Sequence, residues 1–566
     1  MSFGKRIAAS QFSAEGDSMT SQDRTPPPEH FNVARHLLET NRNRAGKLAY
    51  IDDRRRLTFG ELEGRVRRFA AGLMQLGIRP EERILLAMHD TIDMPVALLG
   101  AIYAGVVPVP VNTLLPPSDY AYMLRHSGAR FAIVSGALLD TMNQALRELD
   151  ATASAEGRKL GNSVRLIVSG SAPSDADGAL PFERLLESEP QGAADTAASP
   201  AASSSEALSD AADTHADDIA FWLYSSGSTG RPKGTVHTHA NLFWTSELYG
   251  KPVLGLREED VVFSAAKLFF AYGLGNGLTF PLSVGATTIL MAERPTPKAV
   301  FQRITEHKPT VFYGVPTLYV AMLASEALPP REATALRVCT SAGEALPREV
   351  GEKFSAHFGA DILDGIGSTE MLHIFLSNSP GDVRYGTTGK PVPGYELELR
   401  HEDGSKAGPG EVGDLFIRGP SAALMYWTNR DKSRATFQGD WVKSGDKYVK
   451  DEQGYYTYAG RSDDMLKVSG QYVSPIEVES ALMAHAGVLE CAVVGKADEQ
   501  GLTRTMAYVV LRQGLGGDTE MAAALKAFVK TRLAPHKYPR EIHFVSDLPK
   551  TATGKIQRFK LRALED

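Results

Sequence analysis

Two stretches of this chain repeat one rhythm, and that rhythm restricts the fold more than any other feature. The first copy starts at Arg83-Ile84-Leu85-Leu86 and passes through a helix-like stretch to Ala104-Gly105. It then enters Val106-Val107-Pro108-Val109, a second helical stretch, and Phe131-Ala132-Ile133-Val134. The second copy starts at Val261-Val262-Phe263 and reaches Val284-Gly285-Ala286. It continues through Thr287-Thr288-Ile289-Leu290 and the segment 297–307 to Thr310-Val311-Phe312-Tyr313. Short β-rich runs alternating with helical spacings belong to parallel sheets covered by helices. The expected class is α/β, with two quasi-repeated αβ sheets packed into one large N-terminal domain.

Each copy contains an uncharged stretch that imitates a membrane span, 94–118 in the first and 268–292 in the second. Five prolines interrupt the first; Pro281, Asn276 and four glycines interrupt the second. A bilayer demands an unbroken apolar helix, so both are read as core of a large soluble protein. At 566 residues there is room for three or four core-forming units. A hydrophobic share of 43% and a charged share of 23% exclude collagen-like and disordered chains. The net charge of −7 gives no long-range reason to expect nucleic acid or an anionic membrane as partner. Cys339 and Cys491 are too few for a disulfide framework or a CxxC metal site, and residues 1–28 hold no secretory apolar run, so a cytoplasmic location is expected.

The organisation expected from texture is a tail at 1–28, a large domain at 29–461 and a small α+β domain at 462–566. Between 189 and 216, 15 of 28 residues are Ala or Ser, which reads as a flexible surface insertion unable to bury a core. From 386 to 458 Gly-punctuated alternating runs predict an antiparallel β-rich subdomain. After Arg461 a smaller βα pattern follows, with a helix expected over 521–532.

Five segments carry chemistry. Tyr224-Ser225-Ser226-Gly227-Ser228-Thr229-Gly230-Arg231-Pro232-Lys233-Gly234 follows a β-rich run. Its glycines let backbone N–H groups close around an anion, its hydroxyls add donors and Lys233 adds charge. It is not a Walker A loop, because Pro232 stands where that motif needs Gly. Asp364-Gly365-Ile366-Gly367-Ser368-Thr369-Glu370 places a carboxylate after a hydroxyl on a Gly-rich turn, suited to Mg²⁺ and a phosphate oxygen or, equally, to a solvated turn. Ser444-Gly445-Asp446 offers a carboxylate at a strand end for a pair of ribose hydroxyls, although exposed Asp is commonplace at turns. The segment 460–470 is either a charged turn or a hinge, and Pro549-Lys550-Thr551-Ala552-Thr553-Gly554-Lys555 is a basic loop.

In this order the five segments resemble the motifs of the adenylate-forming superfamily of acyl-CoA synthetases, adenylation domains and luciferases. The resemblance spans 31–566. Within it, segments 221–239, 268–277 and 368–373 are most similar to benzoate-CoA ligases. The resemblance implies an ATP-dependent ligase that joins benzoate to CoA through a benzoyl-AMP intermediate, with Mg²⁺ as cofactor and ATP and CoA as co-substrates. It implies that Lys555 bridges carboxylate and α-phosphate, with Thr369 and Glu370 as the other catalytic residues. Ser225, Ser226, Gly227, Ser228, Thr229, Gly230 and Lys233 should hold the β- and γ-phosphates. Gly343, Glu344, Asp364, Gly365, Ile366, Asp446 and Arg461 should complete the ATP site, and Glu370 with Thr229 should hold the metal. Ile366 departs from the Tyr that many relatives stack on adenine, so apolar packing is expected there. Asp463 falls at the family's hinge, and Lys467, Ser469 and Gly470 should line a CoA tunnel after the small domain turns.

The acyl pocket implied by the same match comprises Phe270, Ala271, Tyr272, Gly273, Gly343, Ile366 and His373. An aromatic wall with small residues beside it suits a flat ring better than a long alkyl chain. His373 either orients the substrate carboxylate or satisfies a buried backbone group. Other readings are a ligase for a hydroxy-, amino- or halobenzoate, an adenylation enzyme loading a carrier protein, a luciferase-like oxygenase, and a nucleotide sensor without turnover. Against carrier loading, the only echo of a carrier site (515–519) has Thr519 for the needed Ser, and the chain runs just 11 residues past Lys555. The family also suggests a protein acetyltransferase and deacetylase acting on Lys555, since acylation removes its charge. Monomer and homodimer both stay open.

Overall fold

A computed structural model describes residues 25–154, 164–170, 178–189, 210–225, 231–462, 465–468, 471–497, 503–533, 537–550 and 556–564. The quasi-repeat is real in three dimensions. In the first sheet Arg83–Ala87 is central, with Val107–Pro110 parallel on one side and Phe131–Ser135 parallel on the other. In the second, Val261–Ser264 is central, flanked in the same way by Thr287–Ile289 and Val311–Gly314. Arg165–Ser169 and Leu180–Pro181 extend the first sheet. The second runs on through Val338–Ser341 and Asp361–Gly367, parallel, to Ile374–Ser377, antiparallel. At its other edge stand Leu48–Ile51 and Arg56–Thr58, supplied from the start of the chain.

Neither uncharged stretch crosses a membrane: among the described residues no helix is long and apolar enough. Instead the two bury each other. All eleven residues of the helix Asp93–Tyr103 are buried. Met94, Val96 and Leu98 share one core with Leu268, Leu274, Leu278 and Leu282 of the second stretch. A helix that is apolar all round needs cover on every side, and the helices Phe59–Gln75 and Val33–Glu39 supply much of it.

A third, three-stranded antiparallel sheet comprises Ile219–Ser225, Lys233–Thr238 and Met425–Tyr426. Its Trp222 and Val236 join the core formed by Leu85, Val107 and Val134. The alternating 386–458 region forms an antiparallel sheet from Glu396–Arg400, Val412–Arg418, Phe437–Gln438, Trp441–Lys450 and Tyr456–Arg461. From 466 onward the chain has its own two apolar clusters. They are built on Pro475–Met483, Thr519–Lys530 and a sheet of Val488–Ala497, Thr503–Leu511 and Glu541–Phe544.

The insertion expected at 189–216 is narrower than composition suggests. Residues 190–209 lie outside the described residues, but the stretch from Asp210 to Ala216 is docked. Asp210 accepts hydrogen bonds from Tyr103 Oη (2.6 Å) and Arg67 Nε (3.0 Å), while Phe31 N–H donates to Thr214 and Ala216 N–H to Glu29. One carboxylate facing a buried tyrosine and an arginine outweighs an uninformative Ala/Ser background.

Candidate active site

Open parallel sheets gather functional groups beyond the C-terminal ends of their strands, and the second sheet does so here. Ser341 pairs with Asp364, so the turn Ala342-Gly343-Glu344 emerges beside Gly365 and Ile366. Gly343 has φ +97°, a conformation open to glycine at little cost. Asp361–Gly367 then folds back into Ile374–Ser377 through the turn carrying Ser368, Thr369 and Glu370. A Cβ on Gly367 would lie 2.5 Å from the His373 carbonyl oxygen, so only glycine lets these strands approach.

That turn is clamped by distant segments. His237 Nε2–H donates to the Thr369 carbonyl (2.8 Å), Ala423 N–H to the Glu370 carbonyl (2.8 Å), and Ser421 Oγ–H to the Met371 carbonyl (2.8 Å). Burial pushes His237 down to about 4, so its imidazole is neutral. Glu370 is thereby held facing Lys233, the first residue of its strand, with Nζ 3.7 Å from Oε1. Tyr426 completes the group. Its hydroxyl donates to Glu370 Oε1 (2.6 Å) and accepts from Lys233 Nζ (3.2 Å), and Lys233 Nζ lies 4.3 Å from the centre of its ring. Burial holds the Lys233 amine below its ordinary range, and the nearby positive charges of Lys432 and Arg461 push the same way, against the pull of Glu370. Cations crowded at a half-buried site favour an incoming polyanion.

Asp446 corrects the picture of a carboxylate at an exposed strand end. It lies inside the ten-residue strand Trp441–Lys450, is buried, and follows Gly445 at φ +78° where the register against Val412–Arg418 shifts. Bulges of this kind re-aim side chains. Arg461, directly across on Tyr456–Arg461, places Nη1 3.1 Å from Asp446 Oδ1. Asp364 is buried as well. Its Oδ1 has no hydrogen-bond partner among the described residues, and burial raises its carboxyl to about 8.

The surroundings of the residues expected in the acyl pocket are mostly apolar and aromatic. Phe270 caps the short helix Ala271–Leu274, whose Tyr272 hydroxyl bonds Thr340 Oγ1 and whose ring meets Tyr313 edge-on. His373 packs edge-on against Phe280 with ring centroids 4.5 Å apart. A Cβ on Gly275 would lie 2.4 Å from His373 Cδ2, and one on Gly273 2.0 Å from the Lys267 carbonyl oxygen. His373 Nε2–H donates to the Tyr272 carbonyl (3.3 Å), a buried backbone group. Burial drives the imidazole down to about 3, so it carries no charge to offer a carboxylate. Ile366 packs, half-buried, in the same apolar cluster as Tyr272.

Ser226, Gly227, Ser228, Thr229, Gly230, Asp463, Ser469, Gly470 and Lys555 lie outside the described residues. The strands that lead into their loops are described. Ser225 pairs with Lys233, Val468 pairs with Gln471, and Lys550 bridges Ile556. Lys467 lies on the strand Leu466–Val468. Sequence reasoning missed Tyr426 and His237. The only available signal was the position of His237 in the strand that follows the Ser/Gly loop.

Comparison with known proteins identifies the family. Residues 37–427 match the model of the AMP-binding enzyme family, and residues 477–555 match that of the AMP-binding enzyme C-terminal domain. A benzoate–CoA ligase of Thauera aromatica is 55% identical over 554 residues, covering 96% of this chain and 99% of the relative. The crystal structure of a benzoate CoA ligase from Burkholderia xenovorans LB400 aligns with TM-score 0.84 and 62% identity, over 94% of this chain and all of that one. An anthranilate CoA ligase in complex with anthranoyl-AMP aligns with TM-score 0.85 and 40% identity, over 96% and 98%. With the family model spanning more than half its length and a relative 55% identical over nearly all of it, the chain belongs to the AMP-binding enzyme family.

Proposed function

We propose that this protein is an AMP-forming benzoate–CoA ligase. The observation that carries the reading is the juxtaposition of a cationic wall (Lys233, Arg461) with an uncharged aromatic one (Phe270, Tyr272, His373), whose imidazole is neutral. A polyanion and a flat aryl acid are the pair of substrates that this contrast fits. The relatives named as benzoate–CoA ligases support it at 55% and 62% identity.

The chemistry follows from the walls. A carboxylate resists substitution because expelling oxide is prohibitive. Its oxygen therefore attacks the α-phosphorus of ATP, the bond to the bridging oxygen of the β-phosphate breaks, and pyrophosphate leaves. The thiolate of CoA then attacks the acyl carbon of benzoyl-AMP, and the carbon–oxygen bond to AMP breaks. The first step brings anions together, so positioned cations supply most of the stabilisation. In this reading Lys233 and the loop from Ser225 to Gly230 hold the β- and γ-phosphates. Asp446 and Arg461 take the ribose, Gly343, Glu344, Asp364, Gly365 and Ile366 complete the ATP site, and Lys555 bridges carboxylate and α-phosphate. Among the described residues no three His, Cys, Asp or Glu gather into a metal cage. A single carboxylate such as Glu370 beside a phosphate site still suits Mg²⁺, which binds through one or two carboxylates plus phosphates. Glu370, with Thr229, would hold the ion, which when bound supplies positive charge to the phosphates. A hinge at Asp463 would bring Lys467, Ser469 and Gly470 to the CoA thiol, the enzyme working in the cytoplasm.

One observation favours a second reading, a ligase for hydroxy- or aminobenzoate. His373 Nδ1 is buried with no partner among the described residues and, in the tautomer set by Tyr272, it is an acceptor for a ring O–H or N–H. A panel of carboxylates from acetate through octanoate to substituted benzoates, scored by AMP release with CoA, decides. Benzoate should give the highest kcat/KM. A higher value for a hydroxy- or aminobenzoate selects the second reading, and preference for octanoate removes both.

A further inference from the structure

The acyl wall is anchored from the other module by a buried acid. Asp90 lies just beyond the central strand of the first sheet, Arg83–Ala87, and is buried. Both of its carboxylate oxygens lie 3.2 Å from the backbone N–H of Leu268, which opens the segment carrying Phe270, Ala271, Tyr272 and Gly273. Lys267 stands just beyond the central strand of the second sheet, Val261–Ser264. Its half-buried ammonium donates to the carbonyls of Met291 and Glu293 (2.7 Å to the latter), and its charge is felt by Asp90. The Lys267 carbonyl accepts the Phe270 N–H (3.0 Å) and presses against Gly273. Thus the turn from Lys267 to Gly273 is held at its start by Asp90, along its side by the Lys267 tether, and at its end by a glycine that admits no Cβ.

A buried carboxylate with so little hydrogen bonding is a poor way to stabilise a fold. Burial raises it to about 6, and apolar replacement of buried ionic groups is often neutral or stabilising. What the carboxylate does provide is direction, since it accepts only where an N–H is presented. We propose that Asp90, with Lys267, is a positioning residue for the acyl pocket: from the neighbouring module it fixes the turn that sets the width of the slot for the substrate ring. The assignment rests on reading 270–273 as the acyl wall.

The test uses the full-length enzyme, with Asp90→Ala, Asp90→Asn and Lys267→Met variants. Four quantities are measured: KM for benzoate, KM for MgATP, and the affinities for AMP and for a non-hydrolysable benzoyl-AMP mimic. Because small misplacements cost up to about a hundredfold, Asp90→Ala and Lys267→Met should each raise the benzoate KM and weaken the mimic about tenfold. The MgATP KM and AMP affinity should stay within about twofold, since the hydrogen bonds of Asp90 and Lys267 go to Leu268, Met291 and Glu293 and to no residue assigned to the nucleotide. Asp90→Asn, whose amide oxygen still accepts from Leu268, should return to within about threefold of wild type. Benzoate and nucleotide parameters moving together, or a benzoate KM unmoved in either Asp90→Ala or Lys267→Met, overturns the anchor. Should Asp90→Ala fail to fold, Lys267→Met and Asp90→Asn carry the same comparison. A wild-type enzyme that ignores benzoate would instead refute the functional reading; the anchor is then judged with whichever carboxylate the panel prefers.

Discussion

The nucleotide wall and the acyl wall of this site are built on opposite principles. On the nucleotide side, side chains carry charge and are aimed by hydrogen bonds from far along the chain: Lys233 and Tyr426 are 193 residues apart, His237 and Thr369 132. On the acyl side the groups are neutral and aimed by contact, with glycines 273 and 275 left bare so that Lys267 and His373 can close in. The first arrangement tolerates shape changes but not loss of a charge or a donor. The second cannot admit an added methyl group at Gly273 or Gly275. One wall recognises by electrostatics, the other by volume.

Removing the charge of Lys555 should break the contrast most severely. Lys555→Ala should lower benzoate-dependent pyrophosphate exchange by about a thousandfold, the scale of losing a principal transition-state contact. Conversion of supplied benzoyl-AMP to the thioester should continue. Equal loss of both half-reactions would end the idea that this lysine serves only the first step.

Next in size is a methyl group on the dry side. Gly273→Ala places a Cβ 2.0 Å from the Lys267 carbonyl, so the turn must move. Benzoate KM should rise at least about tenfold while MgATP KM holds, overpacking being costly where backbone is the obstacle. A rise in MgATP KM of the same size would show that the walls are not separable.

The complementary change on the charged side is Tyr426→Phe. It keeps the ring under Lys233 but deletes the hydroxyl that Glu370 and Lys233 share. A hydrogen bond to a charged group contributes about 1.5–3 kcal/mol, so MgATP KM should rise roughly tenfold with benzoate KM unchanged. Titrating rates against ATP and against benzoate separates the two outcomes.

The smallest effect asks whether the walls differ in how they treat a buried imidazole. His237 on one side and His373 on the other are pushed to about 4 and about 3 by burial, as is His239 to about 4. Unfolded they titrate near about 6.5, so below that pH the unfolded chain binds protons that the folded chain refuses. Stability should therefore fall as pH drops from about 6.5 towards 4, by up to about 1.4 kcal/mol per pH unit for each histidine. Asp90 and Asp364, raised to about 6 and about 8 by burial, act in the opposite sense and are relieved by protonation. Replacing His237 by Gln should remove about one proton from the acid slope in urea midpoints between pH 7 and pH 5. An unchanged slope would mean that this imidazole is not neutral in the folded state.

How far each wall could be read from sequence follows from the same contrast. The turn carrying Thr369 and Glu370 was legible as a turn because glycine and hydroxyl residues cluster within a few positions. The strand rhythm around Arg83 and Val261 was legible because period and run length are local properties. Tyr426 was not, since its meaning lies in meeting Glu370, and nothing near Met425 and Trp427 signals that meeting. Asp446 was misplaced to a strand end because a bulge within Trp441–Lys450 exists only relative to the partner strand. Asp90 and Asp210 each looked like an isolated acid until the segments they hold were brought against them.

The edge strands of the second sheet have a consequence for synthesis. Tyr50 pairs with Thr288, so Leu48–Ile51 must wait for a partner made 238 residues later. At about 5–20 residues per second, that wait is roughly 12–48 s on the ribosome. Throughout it Leu48–Ile51 can pair with Arg56–Thr58 on one side while its other edge stays open. The nascent chain is then open to pairing with a neighbour on the same messenger, so slow, well-shielded translation, rather than final stability, should govern how much of this enzyme a cell recovers intact.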